Sequence, residues 1–270
     1  MFKRISILLY ALVMIAVAVF DLFTVRPVPF SSDGKYLKIE LKRGTFTVFD
    51  FPSRQPVTSA LMLFGSGDGG WGGLEEAICR AFQNQGFEVI GIDSHAYANT
   101  DYDLDTLQSD YGKIARTVLA PFGSHPPPLI VGGYSMGAAQ AIAVTGGPHP
   151  PQGLIGLLVI DPLSRGRYGL RESDQMNMLP TGPGTFSMND FAKTMYSLRI
   201  VQWHAANDSI DSRSWLDSLT AQHKEFNFPN AEHGYVINRE DFLRQLVKSA
   251  QWVVNPMSDD TVTPKASANP

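Results

Sequence analysis

Beyond residue 36 the apolar positions fall into two alternating kinds of segment. Short, mainly apolar runs at 60–64, 88–92, 129–132, 154–160 and 198–204 have the length of buried strands. Between the first of them lie segments with apolar residues at helical spacing, at 74–85, 103–119 and 136–144. A helical segment at 210–221, a strand at 224–228 and a last helix at 239–253 continue the pattern. Strands that are apolar throughout need cover on both sides, so the pattern predicts an α/β fold: a mostly parallel central sheet with helices on both faces. Ahead of it, 36–41 and 45–49 read as a hairpin turning at Lys42-Arg43-Gly44. No short repeat suggests a solenoid. Residues 162–197 mix Gly, Pro, Met and charge without a period and are too long for a plain connection, so a lid or substrate-facing insertion is expected there.

The same pattern divides the chain. Residues 36–254 form the α/β domain, 26–35 a linker rich in Pro and Ser, and 255–270 a polar, proline-containing tail expected to be disordered. Residues 1–25 read as a signal peptide or an N-terminal membrane anchor. Phe2-Lys3-Arg4 is a positive start, and the apolar run at 5–20 is broken only by Ser6. Ala16-Val17-Ala18 suits cleavage, whereas apolar residues continuing through Leu22-Phe23 suit an uncleaved helix; both stay open. Either way the domain is expected outside the cytoplasm.

Composition narrows the function. Apolar residues at 44% and charged residues at 18% exclude bulk disorder. A net charge of −4 without a basic block leaves nucleic acid unsupported as a partner. Cys79 is the only cysteine, so neither an intramolecular disulfide nor a cysteine-based zinc site can be assembled.

The sharpest chemical signal is Gly133-Tyr134-Ser135-Met136-Gly137, directly after one apolar strand and directly before a helix. A nucleophilic serine needs a tight strand-to-helix turn so that its Oγ projects freely, and flanking glycines let that turn close. A hydroxyl also needs a base and an acid to orient it. Asp208 follows the strand at 198–204 and His233 follows the next one, so the order Ser, Asp, His is that of the α/β-hydrolase fold. The other histidines have plainer readings: His125 and His149 lie among prolines, His223 precedes an edge strand, and His95 and His204 end strands. Asp161, at the end of the preceding strand, is the alternative acid; Asp208 is preferred.

The loop Gly65-Ser66-Gly67-Asp68-Gly69-Gly70-Trp71 follows another strand, and its glycines let backbone N–H groups face a substrate oxygen. The expected oxyanion donors are the N–H groups of Asp68 and Met136. A phosphate cradle is the competing reading, but the loop lacks the dinucleotide spacing and no Walker lysine follows. Asp68, Trp71, Asp93 and Tyr134 are candidate substrate contacts, and the carboxylates would favour a substrate carrying an amine. This set needs no metal and no organic cofactor.

Ser66-Gly67-Asp68-Gly69-Gly70-Trp71, Val89-Ile90-Gly91-Ile92-Asp93-Ser94 and Gly133-Tyr134-Ser135-Met136-Gly137-Ala138, followed by Asp208 and His233, make the chain resemble the VirJ/AcvB group of bacterial extracytoplasmic α/β-hydrolase-like proteins. The resemblance spans residues 59–253. It implies a periplasmic hydrolase associated with the inner membrane through the N-terminal segment. The membrane phospholipid substrate would be aminoacylated phosphatidylglycerol, from which lysyl or alanyl groups are removed. Two other functions fit the residues: a general carboxylesterase or lipase, and a non-catalytic periplasmic binding protein assisting secretion or virulence.

Overall fold

The structure is a computed structural model, and it describes residues 35–176, 179–209 and 213–255. The expected leader, most of the linker and nearly all of the expected tail lie outside the described residues. Among the described residues no helix is long and apolar enough to cross a membrane.

Eight strands form one sheet. β1 (Lys35–Leu41) and β2 (Gly44–Phe51) are the expected hairpin, and β3 (Ala60–Gly65), β4 (Phe87–Ile92), β5 (Leu129–Tyr134) and β6 (Leu154–Ile160) follow. β7 (Arg165–Arg167) and β8 (Thr185–Ser187) pair separately, and β9 (Arg199–Ala205) and β10 (Gln222–Phe228) complete the large sheet. Its order is β1-β2-β4-β3-β5-β6-β9-β10. β1 runs antiparallel to β2 and β2 antiparallel to β4; all the other pairs are parallel. Burial follows this order. β3 and β5 are buried at every residue, whereas the edge strands β1 and β10 bury only alternate positions near their ends, as one-sided cover requires.

The helices are α1 (Gly73–Asn84), α2 (Ser94–Ala98), α3 (Leu104–Leu119), α4 (Met136–Gly146), α5 (Asn189–Ala192) and α6 (Arg239–Val254). Helix α4 has no polar face, and its residues 137–146 are all buried. Its small residues Gly137, Ala138, Ala139 and Ala141 let it lie close on the sheet. The short α2 escaped the periodicity because it is one turn long; Asp93 caps it by accepting from the Ala96 N–H at 3.0 Å.

One expected element is absent. The helix expected over 210–221 is not formed by the described residues 213–221, which hold only a 3-10 turn at Leu216–Ser218. Tertiary contacts override the local pattern there: Trp215 is buried and its indole N–H donates to Gln202 Oε1 at 2.7 Å.

Candidate active site

In a parallel sheet all carboxyl ends point the same way, so loops leaving β3, β5, β6, β9 and β10 meet at one edge. The register makes this concrete: Gly65 stands beside Gly133, Tyr134 beside Ile160, Ile160 beside Trp203, and Ala205 beside Phe228. The residues that follow these ends include Ser66 to Asp68, Ser135, Asp161, Asp208 and His233.

Ser135 is held at φ 52°, ψ −114°, a conformation side chains avoid, between the end of β5 and the first turn of α4. The turn is fixed from both sides: Ser135 N–H donates to Ile160 O at 2.9 Å, and Gly137 N–H donates to Ser66 O at 2.9 Å. Both flanking glycines are dictated by contact rather than by their own torsions. A Cβ on Gly133 would run into the backbone of Gly137, and one on Gly137 into the backbone of Gly65 and Ser66. The strain on Ser135 is thus sustained by backbone packing on three elements.

His233 Nδ1 lies 2.5 Å from Asp208 Oδ2, while Asp161 Oδ2 stands 3.9 Å away. The contact is braced: Asn207 N–H donates to Ala231 O at 2.8 Å, tying the loop of the acid to that of the histidine. Burial pulls the His233 pKa down, but the Asp208 hydrogen bond and charge, then the charges of Asp161 and Asp68, outweigh it and leave it raised. Asp161 is wholly buried, accepts from the Ala205 N–H at 2.8 Å, and is lifted by burial to a pKa of about 7. Ser135 and His233 share the site without a direct hydrogen bond among the described contacts. They are linked instead through Tyr134, whose hydroxyl donates to the His233 carbonyl at 2.9 Å.

The glycine loop faces the serine. Neither the Asp68 nor the Met136 N–H has a hydrogen-bond partner among the described residues, and both residues line one cavity with Ser135. Sequence reasoning missed what holds this loop, which is Glu75. Its buried carboxylate accepts from Gly67 N–H at 3.3 Å and Gly72 N–H at 3.1 Å. Burial raises its pKa against the lowering by those N–H groups. The signal was present: a glutamate three residues after the residue preceding a helix is a capping pattern.

Trp71, Asp93 and Tyr134, expected as substrate contacts, do not line the cavity. Trp71 stacks on Phe49 with centroids 4.2 Å apart and covers Gly91, where any side chain would collide with the indole. Asp93 caps α2, and Tyr134 braces the histidine loop. Asp68 does line the cavity, and its carboxylate has no hydrogen bond and no Lys or Arg partner among the described residues.

Most of the remaining wall comes from residues 162–197, the expected substrate-facing insertion, among them Leu163, Leu170, Pro180 and the paired charges of Arg167 and Asp174. The cavity comprises about 500 Å³ of empty space, counting the part open to solvent, and its lining is mainly apolar. Arg167 fastens the insertion. It pairs with Asp174 at 2.8 Å and donates to the carbonyls of Thr181 and Pro183, each at 2.7 Å.

Residues 59–145 match the family described as bacterial virulence protein (VirJ), so the resemblance carried by the glycine loop and the serine turn holds over that stretch. Human protein phosphatase methylesterase 1 is 29% identical over 173 residues, 59% of this chain and 42% of that protein. The chain thus spans about two fifths of the length of the curated relatives it matches. Among solved structures, the esterase domain of a Rhodothermus marinus protein superposes with a TM-score of 0.59 at 17% identity, covering 82% of this chain and 98% of that one. An α/β serine hydrolase homologue from Coxiella burnetii gives 0.58 at 11% identity, covering 79% and 96%. The fold is that of the α/β-hydrolases.

Proposed function

We propose that the protein is a serine ester hydrolase that removes aminoacyl groups from aminoacylated phosphatidylglycerol at the outer face of the inner membrane, with Ser135, His233 and Asp208 as its catalytic triad. Ser135 Oγ attacks the ester carbonyl carbon as its proton passes to His233, whose other nitrogen is held by Asp208. The N–H groups of Asp68 and Met136 receive the negative oxygen of the tetrahedral intermediate. His233 returns the proton to the departing glycerol hydroxyl. Water, deprotonated by the same imidazole, then opens the acyl-enzyme and frees the amino acid. The Ser135–His233 hydrogen bond is completed when substrate seats, since such contacts commonly tighten only in the Michaelis complex.

The observation that carries the substrate class is Asp68. A carboxylate with no Lys or Arg partner, whose one described cationic neighbour is the titratable His233, is costly to cover with a neutral substrate and favourable to cover with an ammonium group. The apolar start of the chain supports delivery to a bilayer. The test is release of free lysine or alanine from vesicles containing aminoacylated phosphatidylglycerol. Wild type is expected to release it, Ser135→Ala to lose release altogether, and Asp68→Asn to lose it selectively against a neutral ester of similar size. Equal release by wild type and Ser135→Ala would remove the serine from the reaction.

A second reading rests on the apolar part of the same cavity, where Met136, Ala139, Leu163 and Leu170 suit a neutral acyl chain. A preference of wild type for short p-nitrophenyl esters over every aminoacyl ester would select this carboxylesterase reading.

A further inference from the structure

One oxygen from each of Asp161 and Asp208 and a ring nitrogen of His233 all lie within 4.8 Å of one another. One carboxylate is enough to orient an imidazole, yet here a second is buried beside it on another strand end. Asp161 is not placed there for want of alternatives. It leaves β6 at φ 45°, a strained torsion for an aspartate; its Oδ1 takes the Ala205 N–H, and its buried Oδ2 stands 3.9 Å from His233 Nδ1, with the Tyr235 hydroxyl as the other polar group beside the carboxyl.

We propose that Asp161 is a second positioning carboxyl for His233, sharing the Nδ1 side of the imidazole with Asp208 and able to orient the ring when Asp208 is removed. The inference rests on the serine-hydrolase roles of Ser135 and His233, and not on the choice of lipid substrate. The charged and titratable groups around the pair are Asp208, Asp68, Tyr134 and Tyr235, besides His233 itself. Two ionised carboxylates this close repel each other, so one keeps a proton more readily than the other. Burial makes that one Asp161. While protonated it adds little charge, and His233 stays free to act as a base; once ionised it strengthens the hold on a protonated imidazole. Removing the Asp208 carboxylate ends the repulsion, lets Asp161 ionise more easily, and leaves it 3.9 Å from the same ring nitrogen.

The test uses hydrolysis of p-nitrophenyl acetate, which does not depend on the lipid reading, by Asp161→Asn, Asp208→Ala and the double variant of the full chain. The amide at 161 keeps an acceptor for the Ala205 N–H and loses only the charge. Asp161→Ser, which also keeps an acceptor there, is the second variant should the amide fail to fold. Asp208→Ala is expected to retain turnover that Ser135→Ala abolishes, and adding Asp161→Asn to remove at least about tenfold more. Alone, Asp161→Asn is expected to cost less than about threefold at pH 7 and to shift the acid limb of kcat/KM to lower pH. An equal factor lost in both backgrounds, together with an unmoved limb, would overturn the proposal. So would turnover surviving Ser135→Ala, which would also sink the serine reading beneath it.

Discussion

The hydroxyl of Tyr134 reaches across the site to the backbone carbonyl of His233, 2.9 Å away, and the two rings lie with centroids 4.9 Å apart. The residue before Ser135 therefore sets the height of the loop carrying His233. Tyr134→Phe keeps the ring contact and removes the bond. Stability should fall by about 1 kcal/mol in urea unfolding, and kcat by roughly three- to tenfold with KM little changed. A drop in KM affinity with kcat intact would place Tyr134 at the substrate instead.

The raised pKa of His233 has a direction that kinetics can read. In the proposed triad only the neutral imidazole accepts the serine proton, so kcat/KM should climb with pH through a midpoint above the ordinary imidazole value of about 6.5. Asp208→Asn removes the hydrogen bond and charge that raise it. Its midpoint should move downward and its plateau fall by roughly 10²- to 10³-fold, less than the loss of a lone orienting acid because Asp161 stays beside the ring. Rate profiles from pH 5 to 9 for both proteins check the sign.

Gly137 touches the backbone of Gly65 and Ser66, so Gly137→Ala must push β3 away from the first turn of α4. The expected cost is about 1–3 kcal/mol of stability, seen as a lower urea midpoint. Labelling of Ser135 by a fluorophosphonate should also fail in protein that is still folded, because the serine and the Asp68 loop no longer share one geometry. Retained labelling at the wild-type rate would show the turn to be more tolerant than its packing implies.

Glu75 lets the role of the glycine loop be tested without touching the loop. Glu75→Gln can accept from one of Gly67 and Gly72 but presents its amide to the other, leaving a buried N–H unpaired at about 1–3 kcal/mol. With the loop loosened, kcat should fall by about tenfold or more, since the expected Asp68 donor loses its fixed aim. The same loss is expected with soluble and vesicle-bound esters.

These residues also show which parts of the molecule were readable before folding. The serine turn was legible because its chemistry is local: strand, two glycines and helix are consecutive. Asp208 and His233 were legible only through chain order, because a parallel sheet brings each strand end to the same edge. Glu75 was not, since its partners are backbone N–H groups of glycines that carry no side-chain signature. The place of Trp71 was hidden for a related reason. A tryptophan beside a glycine loop reads as a substrate platform, but Gly91 leaves a bare patch of β4 that the indole covers. The segment before β10 misled because a buried tryptophan anchored to Gln202 overrode the local preference for a helix.

Arg167 donates to Asp174, Thr181 and Pro183, all within the insertion that roofs Ser135. A roof bolted to itself in this way keeps its own shape, and the Arg171–Asp101 ion pair ties it to the segment ahead of α3. Entry then resembles threading through a fixed doorway rather than waiting for a door to swing. Turnover of large esters should therefore be governed by the girth of the incoming chain, and residues bordering the opening become the natural handles for redirecting the enzyme toward bulkier guests.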